Sequence, residues 1–231
     1  MRLPSIVSAA GFAVVAAAVQ LGAFKDIDQW SIDHLMPWVS PATHSSTLAS
    51  TLLPFTSATP GAEIPAKLWL YPASVPVAGL LTAGCCAHLW RHAARLAAVA
   101  WASAWLLGNA IEVVGKETIS RGTPHMTWQG YVVPLPTFGD SFPSGHAFRA
   151  VLLAFLVTVL WRRLGFPAAA WLAVLLPLLV VTNAHAPSDV IGGGLLGAAL
   201  ALACARTSPA ASRLQGARAV ERPSRAEAGT G

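Results

Sequence analysis

The chain has 231 residues, of which 55% are hydrophobic and only 11% are charged. A soluble domain carries about 25% charged residues, so this composition excludes an ordinary water-soluble protein and indicates a chain surrounded largely by lipid. The net charge of +5 comes from residues scattered over loops and an arginine-bearing tail. That distribution argues against a nucleic-acid partner and suits membrane topology.

Six apolar runs predict the transmembrane helices. A helix needs about 20 apolar residues to cross a hydrocarbon core about 30 Å thick. The runs that approximate this length are 4–24, 68–90, 93–115, 145–161, 167–184 and 187–205. The first run is long for the apolar part of a signal peptide, so an uncleaved helix is expected. The predicted fold is an all-α, polytopic bundle of six transmembrane helices that occupies residues 1–205.

The distribution of lysine and arginine predicts the orientation of this bundle. With the N-terminus inside, ten of these residues lie on the cytoplasmic side and four on the opposite side. Cytoplasmic loops are the ones enriched in Lys and Arg. Both termini are therefore expected in the cytoplasm, and the protein in a bacterial inner (plasma) membrane. The oligomeric state stays open.

The segments between the runs differ in composition. External residues 25–67 mix polar residues with apolar ones such as Ile27 and Trp30, which predicts an amphipathic stretch on the membrane followed by a loop. External residues 116–144 predict a short polar loop, and residues 206–231 a disordered cytoplasmic tail.

Three cysteines, Cys85, Cys86 and Cys204, lie inside apolar runs and lack the spacing of metal ligands. Cysteines in such surroundings behave as small hydrophobic residues. Neither a disulfide, a metal nor another cofactor is therefore expected.

Three polar clusters, 116–124, 142–146 and 185–189, lie at the ends of predicted helices and on one predicted side of the membrane. Ionisable residues beside apolar helices are costly, and their presence suggests function. Together the clusters predict one site at the outer membrane face.

The middle cluster is Pro143-Ser144-Gly145-His146, directly before an apolar helix. A helix N-terminus offers unpaired N–H groups and a positive dipole end to phosphate oxygens. Gly145 allows the backbone to approach closely, and His146 lies beside the bound group as a proton donor. The alternative is a simple Ser-Pro cap with an interfacial histidine.

The last cluster places His185 four residues before Asp189, at the start of the sixth predicted helix. A carboxylate bonded to one imidazole nitrogen leaves the other free to attack phosphorus. The product would be a phosphohistidine that water then hydrolyses. The alternative is a structural His–Asp hydrogen bond.

The first cluster supplies two cations, Lys116 and Arg121, which suit a phosphate dianion. Glu112 lies four residues before Lys116 and is placed to pair with it, which would orient the lysine or partly neutralise it. The alternative is a pair of interfacial cations that extend towards water.

In this order the clusters resemble the motifs of the type 2 phosphatidic acid phosphatase superfamily, the lipid phosphate phosphatases. The family's pattern is Lys with a downstream Arg-Pro, then Pro-Ser-Gly-His, then Ser-Arg, followed by His and an Asp four residues later. The resemblance covers about residues 65–205. It implies a metal-independent membrane enzyme with six helices and an outer-face site. The implied substrates are phosphatidic acid, polyprenyl pyrophosphate, phosphatidylglycerol phosphate or lipid A.

Applied to this sequence, the resemblance implies His185 as the nucleophile, Asp189 as its partner and His146 as the residue that protonates the leaving oxygen. The phosphate ligands that it implies are Lys116, Arg121, Ser144 and Gly145.

Two positions depart from the family's pattern. Thr123 stands where the first motif has Arg, and Leu178-Leu179 stand where the third has Ser-Arg. Each lost charge-assisted bond costs about 1.5–3 kcal/mol. Arg149 follows His146 by three residues on the same helix face and needs an anionic partner in its apolar run. It is therefore expected to point at the substrate phosphate, unless it extends to the interface.

Three functions remain open. A lipid phosphatase leads, and a phosphotransferase that moves the phosphate to a lipid or glycan hydroxyl is the enzymatic alternative. A non-catalytic lipid-phosphate binder is suggested by the two lost arginines. Retention of His146, His185 and Asp189 together favours catalysis, because a degraded site would lose its nucleophile as readily as its arginines.

Overall fold

The computed structural model describes residues 3–35, 69–128, 131–134, 139–181 and 184–207. Within these ranges the chain forms seven α-helices. They are α1 (Leu3–Gln20), α2 (Lys25–Leu35), α3 (Val75–Arg91), α4 (Arg95–Thr118), α5 (Gly145–Leu160), α6 (Gly165–Val181) and α7 (Pro187–Cys204). The prediction of a helical fold is confirmed.

Each predicted apolar run coincides with one helix, and the remaining helix, α2, follows the first run. Among the described residues, four spans are long and apolar enough to cross a membrane: Leu3–Gln20, Arg95–Thr118, Arg162–Val181 and Pro187–Thr207. Helix α5 is apolar but shorter, with 16 residues, and α3 has 17 residues.

The second run departs most from its prediction. Its helix begins at Val75 rather than at residue 68, after a 3-10 turn at Tyr71–Ala73. Ser74 has extended backbone angles (φ −65°, ψ 153°), and Pro76 lies in the first turn of α3. Proline is favoured in the first helical turn because its missing N–H has no partner there.

Segment 116–144 shows a second departure. Residues 125–128 and 131–134, predicted as loop, pair as two antiparallel strands, β1 (His125–Trp128) and β2 (Tyr131–Pro134), with His125 opposite Pro134; we call this pair the hairpin. The first part of segment 25–67 forms helix α2, which buries Asp28 and Ile32 and exposes Ile27 and Trp30. The rest of that segment, and the predicted tail beyond Thr207, lie outside the described residues.

Helix α7 packs against α5 on one side and α1 on the other. Two glycines permit the close approach to α5. A Cβ on Gly193 would collide with the carbonyl oxygen of Ser144, and one on Gly197 would lie 2.6 Å from that of Phe148. This packing brings the N-termini of α5 and α7 together at one end of the bundle.

The hydrophobic core lies inside the bundle, away from that end, and is centred on Trp101, Phe148, Leu152 and Leu156. By contrast, large apolar side chains are exposed on the outer helices, as with Phe166 at 84%. In water such a surface would be unfavourable, so it suits a lipid environment.

Candidate active site

The two predicted catalytic histidines meet where α5 and α7 begin. The ring centroids of His146 and His185 are 6.1 Å apart, with the planes inclined by 56°. The backbone N–H of Ser144 donates to the carbonyl oxygen of Asp189 (3.0 Å), which ties the two helix starts together.

Asp189 lies next to His185, but the predicted hydrogen bond is not formed. His185 Nδ1 is 3.5 Å from Asp189 Oδ2, beyond good hydrogen-bonding distance. This nitrogen is buried and has no hydrogen-bond partner among the described residues. The same Asp189 oxygen instead accepts from Ser141 Oγ (2.6 Å) and from the backbone N–H of Ala186 (3.1 Å). Catalytic hydrogen bonds are often loose without substrate.

Three ionised residues beside His146 form what we name the basic triad: Lys116, Glu112 and Arg149. Lys116 Nζ donates to Glu112 Oε1 at 2.7 Å, the predicted pair, and Arg149 Nη1 donates to Glu112 Oε2 at 2.5 Å. The side chains of Glu112 and Arg149 are buried, whereas that of Lys116 is 29% exposed. One carboxylate thus serves two cations, which leaves one positive charge.

Three residues beside His185 form the acidic triad: Asp28, Arg121 and Asp189. Arg121 Nη1 donates to Asp28 Oδ2 (2.7 Å), and Arg121 Nη2 donates to Asp189 Oδ1. All three side chains are buried. One guanidinium thus serves two carboxylates, which leaves one negative charge.

Ser144 and Gly145 hold the start of α5. Ser144 is its N-cap and accepts from the N–H of Ala147 (3.2 Å). A Cβ on Gly145 would collide with the carboxylate of Glu112. The close approach that Gly145 allows in this structure is therefore to the basic triad, which packs against the N-terminus of α5.

Arg149 is buried rather than extended to the interface, which excludes the snorkelling alternative. Besides Glu112, it donates to the carbonyl oxygen of Ala73 (2.9 Å) and to Asn109 Oδ1 (2.9 Å). Leu179, at the position of a family arginine, packs in an apolar cluster with residues such as Leu175. Helix α6 thus offers no guanidinium at this position, whereas Arg149 of α5 places a buried one beside the site.

The protonation state of His185 follows from its surroundings. Burial, followed by the nearby His146 and the cations of both triads, lowers the pKa of His185 well below its ordinary value of 6.5. The imidazole is therefore neutral at pH 7, as a nucleophile requires. Burial also lowers the pKa of Arg121, and Asp28 opposes that shift. Arginine nevertheless stays charged in proteins.

The site also contains three residues that were not predicted from the sequence: Asp28, Ser141 and Ser188. Asp28 belongs to α2, where it is buried together with Ile32. The four-residue spacing puts an acid on the apolar face of this helix, and that is the signal that could have found it. Ser188 carried a weaker signal as a residue of the first turn of α7.

The fold and the site together define a helical membrane protein with two histidines and three cations at one end of its bundle. The sequence model of the PAP2 superfamily matches residues 96–213, just over half of the chain. The chain therefore belongs to the PAP2 superfamily. Family and fold support a lipid phosphatase in general terms.

A solved structure shares this fold. It is the crystal structure of the first transmembrane PAP2-type phosphatidylglycerolphosphate phosphatase, from Bacillus subtilis. The TM-score is 0.56 and the sequence identity 17%, over 87% of this chain and 94% of that one. At this identity the likeness shows the fold alone. No curated protein matches the chain.

Proposed function

We propose that the protein is a metal-independent phosphatase that hydrolyses a lipid phosphate monoester or pyrophosphate through a phosphohistidine intermediate. The observation that carries this proposal is the pair of His146 and His185, 6.1 Å apart and flanked by the two triads, in a chain of the PAP2 superfamily. The candidate substrates are phosphatidic acid, polyprenyl pyrophosphate, phosphatidylglycerol phosphate and lipid A. Among these, phosphatidylglycerol phosphate is favoured because the protein of similar fold is named as a phosphatase of that lipid.

The two histidines have complementary tasks in this reaction. Nδ1 of His185 faces Asp189, so Nε2 is the nitrogen that attacks phosphorus. As the P–N bond forms, the P–O bond to the lipid breaks, and His146 donates its proton to the leaving lipid oxygen. His146 then takes a proton from water, which attacks phosphorus and releases inorganic phosphate and neutral His185.

The basic triad is the proposed entry point for the phosphate. Lys116 is its accessible cation, and Arg149 lies behind it. The N–H groups at the start of α5, next to Gly145, add an anion-binding helix terminus. Arg121 and Ser144 complete the proposed set of phosphate ligands.

The proposed membrane setting has six spanning helices, all described helices except α2. Both termini lie in the cytoplasm of a bacterium with this protein in its inner membrane, and the site opens to the periplasm. Helix α2 would lie at the outer interface, since Ile27 and Trp30 on its outer side are 54% and 52% exposed. Tryptophan favours this depth of the bilayer.

The test is phosphate release by purified, detergent-solubilised protein, with EDTA present, over a panel of the four lipid classes. We expect release from at least one class, and its loss in His185→Ala. The exposed His34→Ala is the matched control and should keep wild-type turnover. If folded protein releases no phosphate, adding lipid and glycan acceptors distinguishes a phosphotransferase from a non-catalytic binder. Release that needs a divalent metal would contradict the proposed chemistry.

A further inference from the structure

Asp28 brings a carboxylate from α2 into the site. Its Oδ2 accepts from Arg121 Nη1 (2.7 Å) and from Ser188 Oγ (2.6 Å), and its Oδ1 accepts from the backbone N–H of Ser188 (3.1 Å). The residue is 2% exposed. Asp28 therefore occupies three donors of the kinds that bind phosphate in proteins: a guanidinium, a hydroxyl and an N–H at a helix start.

The charges around Arg121 determine how this contact affects phosphate binding. Its guanidinium already serves two carboxylates, Asp28 and Asp189. A phosphate that approached Arg121 would be a third anion around one cation, in a buried place where charges are weakly screened. One Arg121 donor, Nε, is buried and has no hydrogen-bond partner among the described residues. The guanidinium thus keeps one donor, Nε, for phosphate, but its positive charge is already neutralised by the two carboxylates.

We propose that Asp28 competes with phosphate for Arg121 and for the N-terminus of α7, and thereby sets a limit on how tightly the site holds phosphate. This inference rests on the proposed function, in which the site takes a lipid phosphate and releases inorganic phosphate. Product leaves the same donors that substrate binds. A resident carboxylate at those donors weakens both complexes and favours release of the product.

The attachment of α2 shows how the carboxylate is held in place. Gln29 Nε2 donates to the carbonyl oxygen of His125 (2.6 Å), and the N–H of His125 donates to Gln29 Oε1 (3.2 Å). These two bonds fix α2 to the hairpin outside the site. Breaking them loosens the helix that carries Asp28 without altering a charge.

The experiment measures binding of inorganic phosphate by calorimetry to the full chain in detergent, which needs no turnover. Asp28→Asn should lower the dissociation constant about tenfold, because the competing charge is gone. With a lipid substrate, the KM and the inhibition constant of inorganic phosphate should fall together. The control is Asp26→Asn, which makes the same charge change at an exposed position of the same helix. It should leave all three constants unchanged.

A second variant guards against a folding defect in Asp28→Asn. Gln29→Ala keeps every charge and should tighten phosphate binding in the same direction by a smaller factor. Phosphate binding that is unchanged or weaker in both variants, with Asp26→Asn at the wild-type value, would overturn the proposal. Tighter binding without phosphate release from any lipid would instead retain the role of Asp28 and reject the proposed hydrolysis.

Discussion

The basic and the acidic triad each consist of one central charge between two opposite charges, and they differ in the sign of the central charge and in exposure. In the basic triad a carboxylate is shared by two cations, one of them partly exposed. In the acidic triad a guanidinium is shared by two buried carboxylates. The basic triad therefore carries a net positive charge that attracts an incoming phosphate, whereas the acidic triad carries a net negative charge.

In the proposed mechanism this difference matches the different tasks of the two histidines. His146 lies at the start of α5, against which the basic triad packs, where the phosphate and the leaving oxygen are expected. His185 lies beside the acidic triad, whose Asp189 faces its Nδ1 nitrogen. The two sides of the site carry opposite charge. In the proposed mechanism the basic side holds the phosphate and the acidic side orients His185, so that the imidazole attacks phosphorus from one direction.

The largest expected effect comes from removing the nucleophile on the acidic side. His185→Ala should lower kcat by more than about 10⁴-fold, since the proposed covalent intermediate forms on its imidazole. His146→Ala on the basic side should lower it by about 10²–10⁴-fold, the usual contribution of a general acid. Phosphate release under saturating lipid checks both. If His146→Ala were the more damaging variant, the assignment of tasks would be reversed.

The next effect concerns the buried cation of the basic triad. Arg149→Ala should lower kcat/KM by about 10–150-fold, equivalent to one charge-assisted bond of about 1.5–3 kcal/mol. The thermal stability should also fall, because a buried ion pair loses one partner. Arg162→Ala, at an exposed position beyond the far end of α5, is the control for both measurements. Near-normal turnover in Arg149→Ala would contradict the proposed role of Arg149 at the phosphate.

The accessible cation of the basic triad should affect binding more than chemistry. Lys116→Gln is expected to raise the KM about tenfold with a smaller change in kcat, because Lys116 meets the phosphate in both ground and transition state. Steady-state kinetics on mixed micelles of the lipid decide this. An equal loss in kcat at constant KM would instead assign Lys116 to the transition state alone.

The smallest effect is a displacement of the pH profile. Since the pKa of His185 is lowered, its neutral, nucleophilic form persists below pH 6.5 and is lost only as the pH falls through the lowered value. The acid limb of kcat/KM should therefore be centred below 6.5. An acid limb at or above 6.5 would mean that the imidazole is not desolvated in the working enzyme.

The sequence predicted the helices well because lipid imposes a length and a composition on each of them. The start of α3 was predicted at residue 68 because Trp69 and Leu70 extend the apolar run. Pro72 and Pro76 instead determine the backbone conformation there, and the helix begins at Val75. The hairpin of β1 and β2 was missed because two four-residue strands carry little periodic signal.

The proximity of the two histidines was predictable, and their electrostatic surroundings were not. His146, His185 and Asp189 belong to short local motifs, and helix order alone brings these motifs to one end of the bundle. Asp28 reaches the site from a helix 160 residues away from Ser188 in sequence. Such a contact depends on how α2 folds back over the bundle, which no local pattern encodes. The pairing of Glu112 with Lys116 was predictable because both lie on one helix four residues apart.

The central claim is that His185 forms a covalent bond to phosphorus, and oxygen exchange tests it without knowledge of the lipid. Inorganic phosphate labelled with ¹⁸O is incubated with the protein in ordinary water, and the label is followed by mass spectrometry. Reversible formation of phosphohistidine expels one phosphate oxygen as water, so the wild type should lose label and His185→Ala should retain it. If the protein hydrolyses a lipid phosphate but exchanges no oxygen, or if exchange persists in His185→Ala, then water attacks phosphorus directly and the account is contradicted.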